Sequence, residues 1–309
     1  MNNLVELFKE FTSPSFFKRI DSSHPLNIYI GRDKDNLCAL EFRGNFKPKP
    51  LRSSTFLRFN CFKTEDNQIA LVISLADNSL FDNFCVFCND IIESCRNCSS
   101  DQDGFRCICD CYFRWRKLFQ KKSKLLDENE IMGLIGELLF LKDYLFENID
   151  YQTAISSWTG WDKTHKDFSY SSIWYEIKAV NASKNSVKIS SVEQLSSSIF
   201  GFLVVFKLEK MSPTFDGIKV NKLATEILNI LPTDEMKEEY LGKLSNINFS
   251  FDSDYDDFVY DISRVLHYRV ENNFPRLTRD EIPNAIIKAQ YEISLSKIDE
   301  YLSDLTYEN

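Results

Sequence analysis

The chain is organised around the stretch DFSYSSIWYEIK at residues 167–178, which predicts a β-hairpin closed by a short Ser-Ser turn. Successive side chains of a strand point to opposite faces, so Glu176 and Lys178 share one face of the second strand and the other face is apolar. Asp167 stands at the far end of the hairpin. Two carboxylates placed together are ligands for a hard divalent cation, with Lys178 beside the ion.

The order of these residues resembles the catalytic signature of the PD-(D/E)XK nuclease superfamily, which is an Asp, then Asp or Glu, one residue, and Lys. Asp167, Glu176 and Lys178 match it. In that fold a helix before the hairpin often supplies a Glu, as Glu137 does here, and a helix after it often carries a Gln, as Gln194 does. The triad alone is a weak signal, because an exposed strand face often carries a surface ion pair worth about 0 to 1 kcal/mol. Agreement of helix, hairpin and second helix favours the functional interpretation.

Flanking segments are similar to one family within that superfamily, whose members are described as PD-(D/E)XK motif proteins of restriction-modification and phage-defence gene clusters. The matching segments are the run from Trp158 through Gly160 to Asp167-Phe168, Phe274-Pro275-Arg276, and Tyr291-Glu292-Ile293. One departure is that the residue before Asp167 is Lys166 and not Pro. Proline at that place shapes the backbone rather than the chemistry.

The resemblance implies a Mg²⁺-dependent endonuclease, with Mn²⁺ as a substitute, that hydrolyses phosphodiester bonds of double-stranded DNA. The implied metal set is Glu137, Asp167, Glu176 and Ile177, and the implied catalytic set is Asp167, Glu176, Lys178 and Gln194. Lys178 would orient the attacking water, and Gln194 would help to position the nucleophile or the DNA backbone. Cleavage of both strands favours a homodimer, and the gene clusters imply partner proteins of a restriction or antiviral defence system.

The implied fold is α/β (α+β), with a mixed central sheet flanked by helices of restriction-endonuclease type in residues 121–309. A smaller β-rich domain at residues 1–120 would precede it and end in a Cys-rich helical segment. Its four strands are predicted at 26–31, 37–43, 55–63 and 68–75, as a small antiparallel sheet. The first helix of the nuclease-like domain is predicted from the acids at 127–130 to Phe146. A Glu amid its apolar residues, Glu137, is costly unless paired or bound to metal.

After the hairpin, residues 181–188 predict a polar turn, and Ser190 with Glu193 predicts a capping box that starts the helix of Gln194. The apolar run at residues 201–206 predicts a buried strand. Strand, helix and strand in this order form a crossover unit, which makes the sheet mixed. Further helices are predicted at 221–231 and 233–244, and further strands at 258–270 and 285–294.

The most basic window of the chain is residues 112–124, with six basic residues and no acid. The residues assigned to DNA binding are Arg114, Arg116, Lys121, Lys122 and Lys124. The functional interpretation is contact with the phosphate backbone beside the nuclease site. The alternative is an ordinary solvated helix face.

Seven of the nine cysteines lie between residues 85 and 111, at spacings that suggest zinc. The first four recur at helical spacing between Phe81 and Cys98, which favours buried helical cysteines over a metal site. Zinc remains an alternative, and disulfides are least favoured in a reducing cytosol.

The composition is that of a folded globular protein, with 43% hydrophobic and 14% aromatic residues. No apolar run reaches about 18 to 20 residues and no signal peptide is evident, so we expect a cytoplasmic protein without a membrane partner. The net charge of −9 argues against a general nucleic-acid coat, so a nuclease would need a local basic surface. Two other classes stay open, namely a catalytically silent DNA-binding or scaffold subunit of a multi-protein defence complex and a zinc-dependent interaction module.

Overall fold

A computed structural model describes residues 2–119, 124–160, 166–271 and 273–303. The helices are α1 (Asn2–Glu10), α2 (Phe81–Ser94), α3 (Asp101–Trp115), α4 (Glu128–Leu139), α5 (Phe146–Asn148), α6 (Tyr151–Ser157), α7 (Val220–Ile230) and α8 (Asp234–Asn246). The strands are β1 (Phe16–Arg19), β2 (Asn27–Arg32), β3 (Cys38–Gly44), β4 (Leu57–Lys63), β5 (Ile69–Leu75), β6 (Phe168–Tyr170), β7 (Ile173–Asn181), β8 (Ser186–Ile189), β9 (Gly201–Met211), β10 (Val259–Val270) and β11 (Tyr291–Ser294).

The chain forms two compact units. The amino-terminal unit consists of Met1–Leu125 and Leu228–Ser253, and the carboxy-terminal unit of Leu126–Ile227 and Asp254–Asn309. Helix α8, which the sequence assigns to the second domain, therefore belongs to the amino-terminal unit. No helix in the described ranges is long and apolar enough to span a bilayer.

The amino-terminal unit contains an antiparallel sheet in the order β1-β2-β3-β5-β4. This confirms the four predicted strands and adds β1, a short and largely exposed strand whose local pattern is weak. The pairs Leu40 with Ile73 and Phe42 with Leu71 place four buried apolar side chains on one face of the sheet. Burial of this face is what the alternation of side chains in these strands predicts.

The carboxy-terminal unit contains a mixed sheet in the order β10-β9-β7-β6, with β7 parallel to β9 and the other pairs antiparallel. The predicted α+β fold with a mixed sheet is confirmed. The hairpin of β6 and β7 pairs Phe168 with Tyr175 and Tyr170 with Ile173. Ser171 in its turn has φ of 54°, in the left-handed region that tight turns use.

Helix α4 lies against β7 at Gly136. A Cβ atom at this position would lie 3.2 Å from the Ala179 Cβ and 3.4 Å from the Ile177 Cγ2, so only glycine permits this separation of helix and strand without adjustment. At Gly133, one turn earlier in the helix, a Cβ would meet no atom within 4 Å. The close approach at Gly136 brings the next residue, Glu137, to the sheet.

The prediction for residues 181–195 is wrong in two respects. Residues 186–189 form β8 and not a turn, because Val187 and Ile189 are buried and β8 pairs with β11. The helix predicted from Ser190 is a single 3₁₀ turn, Val192–Gln194, without the predicted capping box. The Ser190 N–H donates instead to the Gln194 Oε1 at 2.7 Å. The strand predicted at 285–294 is also shorter, beginning at Tyr291.

The packing of α4 on β7 can be tested with a matched pair of substitutions on one helix. We expect Gly136→Val to destabilise the protein by about 1–3 kcal/mol, the usual cost of forcing methyl groups into packed space. Gly133→Val, where the space is open, should leave the midpoint of thermal unfolding nearly unchanged. Equal midpoints for the two variants would contradict the close approach at Gly136.

Candidate metal-binding active site

Glu176 and Lys178 form a buried ion pair on β7. Glu176 is completely buried, and its Oε1 accepts a hydrogen bond of 2.6 Å from the Lys178 Nζ. Although burial opposes the ammonium, Glu176 and Asp167 raise the pKa of Lys178, so this side chain stays charged. The pair is therefore not the solvated surface pair of the alternative interpretation, since only 17% of the Lys178 side chain is exposed.

The second oxygen of Glu176 is the most informative atom of the site. Glu176 Oε2 is buried and has no hydrogen-bond partner among the described residues. A buried carboxylate oxygen without a partner is costly, because its hydration is lost and nothing replaces it. Such an atom is suited to a ligand that the protein itself does not supply.

Asp167 lies immediately before β6, and its carboxylate extends the pairing of the hairpin. Its Oδ2 accepts a hydrogen bond of 2.7 Å from the Ile177 backbone N–H. Because the N–H and C=O of one strand residue point to the same edge, the Ile177 carbonyl also points toward the Asp167 side of β7. The structure thus brings Asp167 and Ile177 together, as the predicted metal set requires.

Glu137 on α4 reaches the same place. Its Oε2 accepts a hydrogen bond of 2.6 Å from the indole Nε1 of Trp158. Trp158 is buried, and its backbone forms an isolated antiparallel β-bridge with Phe168. A Cβ atom at Gly160 would lie 3.2 Å from the Asp167 Oδ1 and 3.5 Å from the Glu137 Oε2. Both carboxylates therefore border one small space, which a side chain at position 160 would fill.

The carboxyl groups of the site resist ionisation in the absence of a cation. Burial, followed by the negative charge of Asp167, raises the pKa of Glu137 to about 8 and that of Glu176 to about 8. Burial likewise raises the pKa of Asp167. The available donors are all oxygens, which hard cations such as Mg²⁺ prefer. The orphan oxygen of Glu176, the space at Gly160 and this donor set fit a divalent cation.

Gln194 occupies the 3₁₀ turn after β8, and the structure gives it a local contact. Its side-chain oxygen accepts from the Ser190 N–H, and its backbone carbonyl accepts from the Lys166 Nζ at 2.6 Å. Since Lys166 precedes Asp167, Gln194 is joined to the hairpin through a neighbour of the triad. Its direct role in catalysis stays a prediction.

Lys166 is a residue whose importance the sequence did not reveal. It is 8% exposed, and its Nζ also donates to the backbone carbonyls of Glu193 at 2.8 Å and Ser196 at 3.2 Å. The ammonium lies 3.8 Å from the centre of the Trp174 ring. In the sequence, a single lysine beside an acidic motif looks like an ordinary surface charge. The burial of Lys166 against three backbone carbonyls could therefore not be predicted from the local sequence.

Trp158 and Gly160 likewise have structural roles that the sequence indicated only through the family resemblance. The Thr159 N–H between them donates to the Asp167 backbone carbonyl at 2.8 Å, which aligns this segment with the start of β6. The signal was the Trp-x-Gly pattern before Asp167. The physical reason for this pattern is a tertiary contact, because the Trp158 indole donates a hydrogen bond to Glu137 on a distant helix.

Arg114 is not at a DNA-binding surface, which corrects that part of the predicted set. Its side chain is 3% exposed and pairs with Asp90 at 3.3 Å and Asp234 at 2.7 Å, all within the amino-terminal unit. The guanidinium is therefore occupied by two carboxylates and cannot reach a phosphate. It serves as a buried link between α3, α2 and α8.

The other predicted DNA-binding residues divide into two groups. Arg116 and Lys124 are exposed and belong to the amino-terminal unit, so a role in phosphate contact stays a prediction. Lys121 and Lys122 lie outside the described residues.

Replacing Glu137 by Gln should change the pH dependence of stability in metal-free protein. The native carboxyl has a pKa of about 8, against roughly 4.3 in an unfolded chain. The folded state therefore retains a proton that the unfolded state loses, and the unfolding free energy falls as pH rises through this window. An amide carries no charge and still accepts from Trp158.

We therefore expect Glu137→Gln to match wild type near pH 5 and to be more stable near pH 8.5, by the order of a few kcal/mol. Thermal unfolding in chelator measures this, with Glu147→Gln as the control for loss of an exposed carboxylate on α5. If Glu137→Gln were more stable than wild type by the same amount at both pH values, the burial of the Glu137 charge would be contradicted.

One family model matches almost the whole chain. Its description is "Putative PD-(D/E)XK family member, (DUF4420)", and it matches residues 6–296. No curated protein and no solved structure matches the chain. The match covers both units and includes Glu137, Asp167, Glu176 and Lys178, in agreement with the resemblance seen in the sequence. The chain therefore belongs to the DUF4420 family of PD-(D/E)XK proteins.

Proposed function

We propose that this protein is a metal-dependent deoxyribonuclease that hydrolyses phosphodiester bonds in double-stranded DNA, with Mg²⁺ as its cation and Mn²⁺ as a substitute. Membership of a PD-(D/E)XK family supports a nuclease-type reaction. The observation that carries the proposal is the buried Glu176 Oε2, which has no hydrogen-bond partner among the described residues, in a group of three carboxyl groups near the ammonium groups of Lys178 and Lys166. A structural ion-pair network pairs its carboxylates with ammonium or guanidinium groups, whereas two carboxyl groups of this site have pKa values raised to about 8 by burial and by a neighbouring carboxylate.

Four groups would hold the cation, namely the carboxylates of Glu137, Asp167 and Glu176 and the backbone carbonyl of Ile177. When bound, a divalent cation supplies polarisation of the scissile phosphate and a positive charge that offsets the carboxylates. The hydrogen bonds to Trp158 and to the Ile177 N–H restrain two of these carboxylates in advance. Such restraint lowers the cost of organising the site when substrate arrives.

Lys178 supplies the permanent positive charge of the site. Its ammonium has three donor positions, of which one is used by the Glu176 Oε1. The remaining donors can orient a water for in-line attack and stabilise the negative charge that develops on the phosphate. The raised pKa of Lys178 means that the charge is present throughout the neutral range.

Gln194 would act on the DNA backbone and not on the cation. Its side-chain oxygen is engaged by Ser190, so the amide nitrogen is the group that can donate to a phosphate oxygen. The bonds from Lys166 restrain this turn, which makes the position of Gln194 depend on the start of the hairpin.

The biological setting that we propose is restriction or phage defence, with partner proteins of such a system and a homodimer for cutting both strands. The resemblance to proteins of restriction-modification and defence gene clusters supports this setting. Arg116, Lys121, Lys122 and Lys124 would contribute phosphate contacts that offset the net charge of −9.

Plasmid cleavage with Mg²⁺ or Mn²⁺ tests the proposed activity. We expect wild type to nick or linearise the plasmid and Asp167→Asn to be inactive, because the amide is a poor cation ligand. The amide oxygen can still accept from the Ile177 N–H, so the variant should keep its fold. Cleavage that persists in Asp167→Asn, or in wild type with excess chelator, would overturn the proposal.

Substitutions of Lys178 distinguish a catalytic role for this residue from a role that only balances the charge of Glu176. We expect Lys178→Arg and Lys178→Ala to lose cleavage by about a hundredfold or more, the order for one transition-state contact. Both variants should bind DNA nearly normally. Arg keeps the positive charge of Lys178 but not the compact shape of its ammonium, so Lys178→Arg should not restore cleavage. Lys188→Ala removes an exposed lysine on β8 and is the matched control. A wild-type rate for Lys178→Ala would exclude the catalytic role.

A further inference from the structure

Three cysteines of the amino-terminal unit converge at the junction of α2 and α3. The sulfur atoms of Cys95, Cys98 and Cys107 lie within 4.8 Å of one another. Cys95 is buried, whereas Cys98 and Cys107 are half-buried, so the group is open to solvent on one side. These thiols have no part in the proposed nuclease site, whose donors are all oxygens.

Local structure explains why these three meet. Helix α2 ends at Ser94, and the chain turns so that the Cys98 N–H donates to the Cys95 carbonyl at 3.2 Å. The turn places both cysteines of this Cys-x2-Cys pair on one side. Helix α3 then begins after its N-cap, Ser100, and returns Cys107 to the same place.

The structure therefore divides the cysteines differently from the sequence. The prediction of buried helical cysteines is confirmed for Cys85 and Cys88, which are completely or almost completely buried in α2. It is wrong for Cys98, which lies beyond the end of α2 and is half-buried. The two Cys-x2-Cys pairs thus do not form one zinc ribbon. The convergent group consists of the second pair together with Cys107 of α3.

We propose that Cys95, Cys98 and Cys107 form a binding site for Zn²⁺ that joins the end of α2 to α3. Thiolates bind zinc at about 2.3 Å in a tetrahedron, so their sulfur atoms need to be about 3.8 Å apart. The observed separations within 4.8 Å are close to this requirement. Small rotations of the three side chains complete the approach.

The fourth position of the tetrahedron is open to solvent or to an added ligand. Cys111, one helical turn after Cys107, does not fill it, because its Sγ donates to the Asp90 Oδ2 at 3.3 Å. The Arg114 guanidinium contacts the same sulfur at 2.9 Å. A positive charge at that sulfur keeps it apart from a cation site.

Metal analysis of the whole 309-residue chain tests the proposal directly. Protein purified under reducing conditions and dialysed against Zn²⁺ should retain one zinc per chain, and Cys98→Ser and Cys107→Ser should lose it. Cys109→Ser, a half-buried cysteine on the same helix, and Cys61→Ser, an exposed one on β4, are matched controls that should retain zinc. Equal zinc in all five proteins, or none in wild type, would overturn the site.

A second measurement needs no variant that could misfold. Bound zinc should protect Cys98 and Cys107 of wild type from alkylation, with the protection lost on adding a chelator, as mapped by mass spectrometry. Cys109 should react in both states. Two results would contradict the proposal. One is a disulfide among the three cysteines in freshly reduced, zinc-treated protein, and the other is an extent of Cys98 and Cys107 alkylation that is the same with and without zinc.

The zinc site and the nuclease site can fail independently. Asp167→Asn should retain its zinc while losing cleavage, and excess Mg²⁺ should not displace zinc from thiolates. Co²⁺ in place of Zn²⁺ should give an intense thiolate charge-transfer band in wild type that is weakened in Cys107→Ser. Loss of zinc in Asp167→Asn would show that the metal was held elsewhere.

Discussion

The burial of Glu176 is the constraint on which the carboxy-terminal unit depends. Removing a carboxylate from water costs several kcal/mol unless partners replace its hydration. Lys178 compensates one oxygen of Glu176, and the other oxygen has no hydrogen-bond partner in the part of the chain that the structure describes. Asp167 and Glu137 place two more carboxyl groups at the same site, and burial raises the pKa of both. Stability alone would not favour such an arrangement, which supports the cation site that we propose for these carboxyl groups.

The scaffold around this cluster is rigid in ways that follow from packing. Strand β7 lies between β6 and β9 in the sheet, so the strand that carries Glu176 and Lys178 is held on both edges. Gly136 lets α4 approach β7 closely, and the indole of Trp158 holds Glu137 from the other side. A site built on a central strand and a packed helix keeps its geometry better than one built on loops.

Lys166 shows how a different residue can restrain the position before the first motif Asp. Proline would limit the backbone there through its ring. Lysine restrains it through tertiary contacts, because its buried ammonium binds three carbonyls of residues 193–196 and lies over Trp174. Burial lowers the pKa of Lys166 to about 8, which is the cost of withdrawing this charge from water.

Local sequence patterns were sufficient to predict the hairpin, the helix that carries Glu137, the antiparallel strands of the amino-terminal unit and the family. These features depend on periodicity and spacing within short segments, which a local pattern records. Their identification did not need any partner from another part of the chain.

The conformation of residues 186–194, the burial of Arg114 and the grouping of the cysteines depend on contacts between segments that are distant in the chain. Strand β8 exists because β11 pairs with it, and Arg114 is buried because Asp234 meets it from a helix far along the chain. Cys98 and Cys107 meet because a turn redirects α3. Burial and ion pairing are properties of two segments brought together, so neither segment alone contains the information.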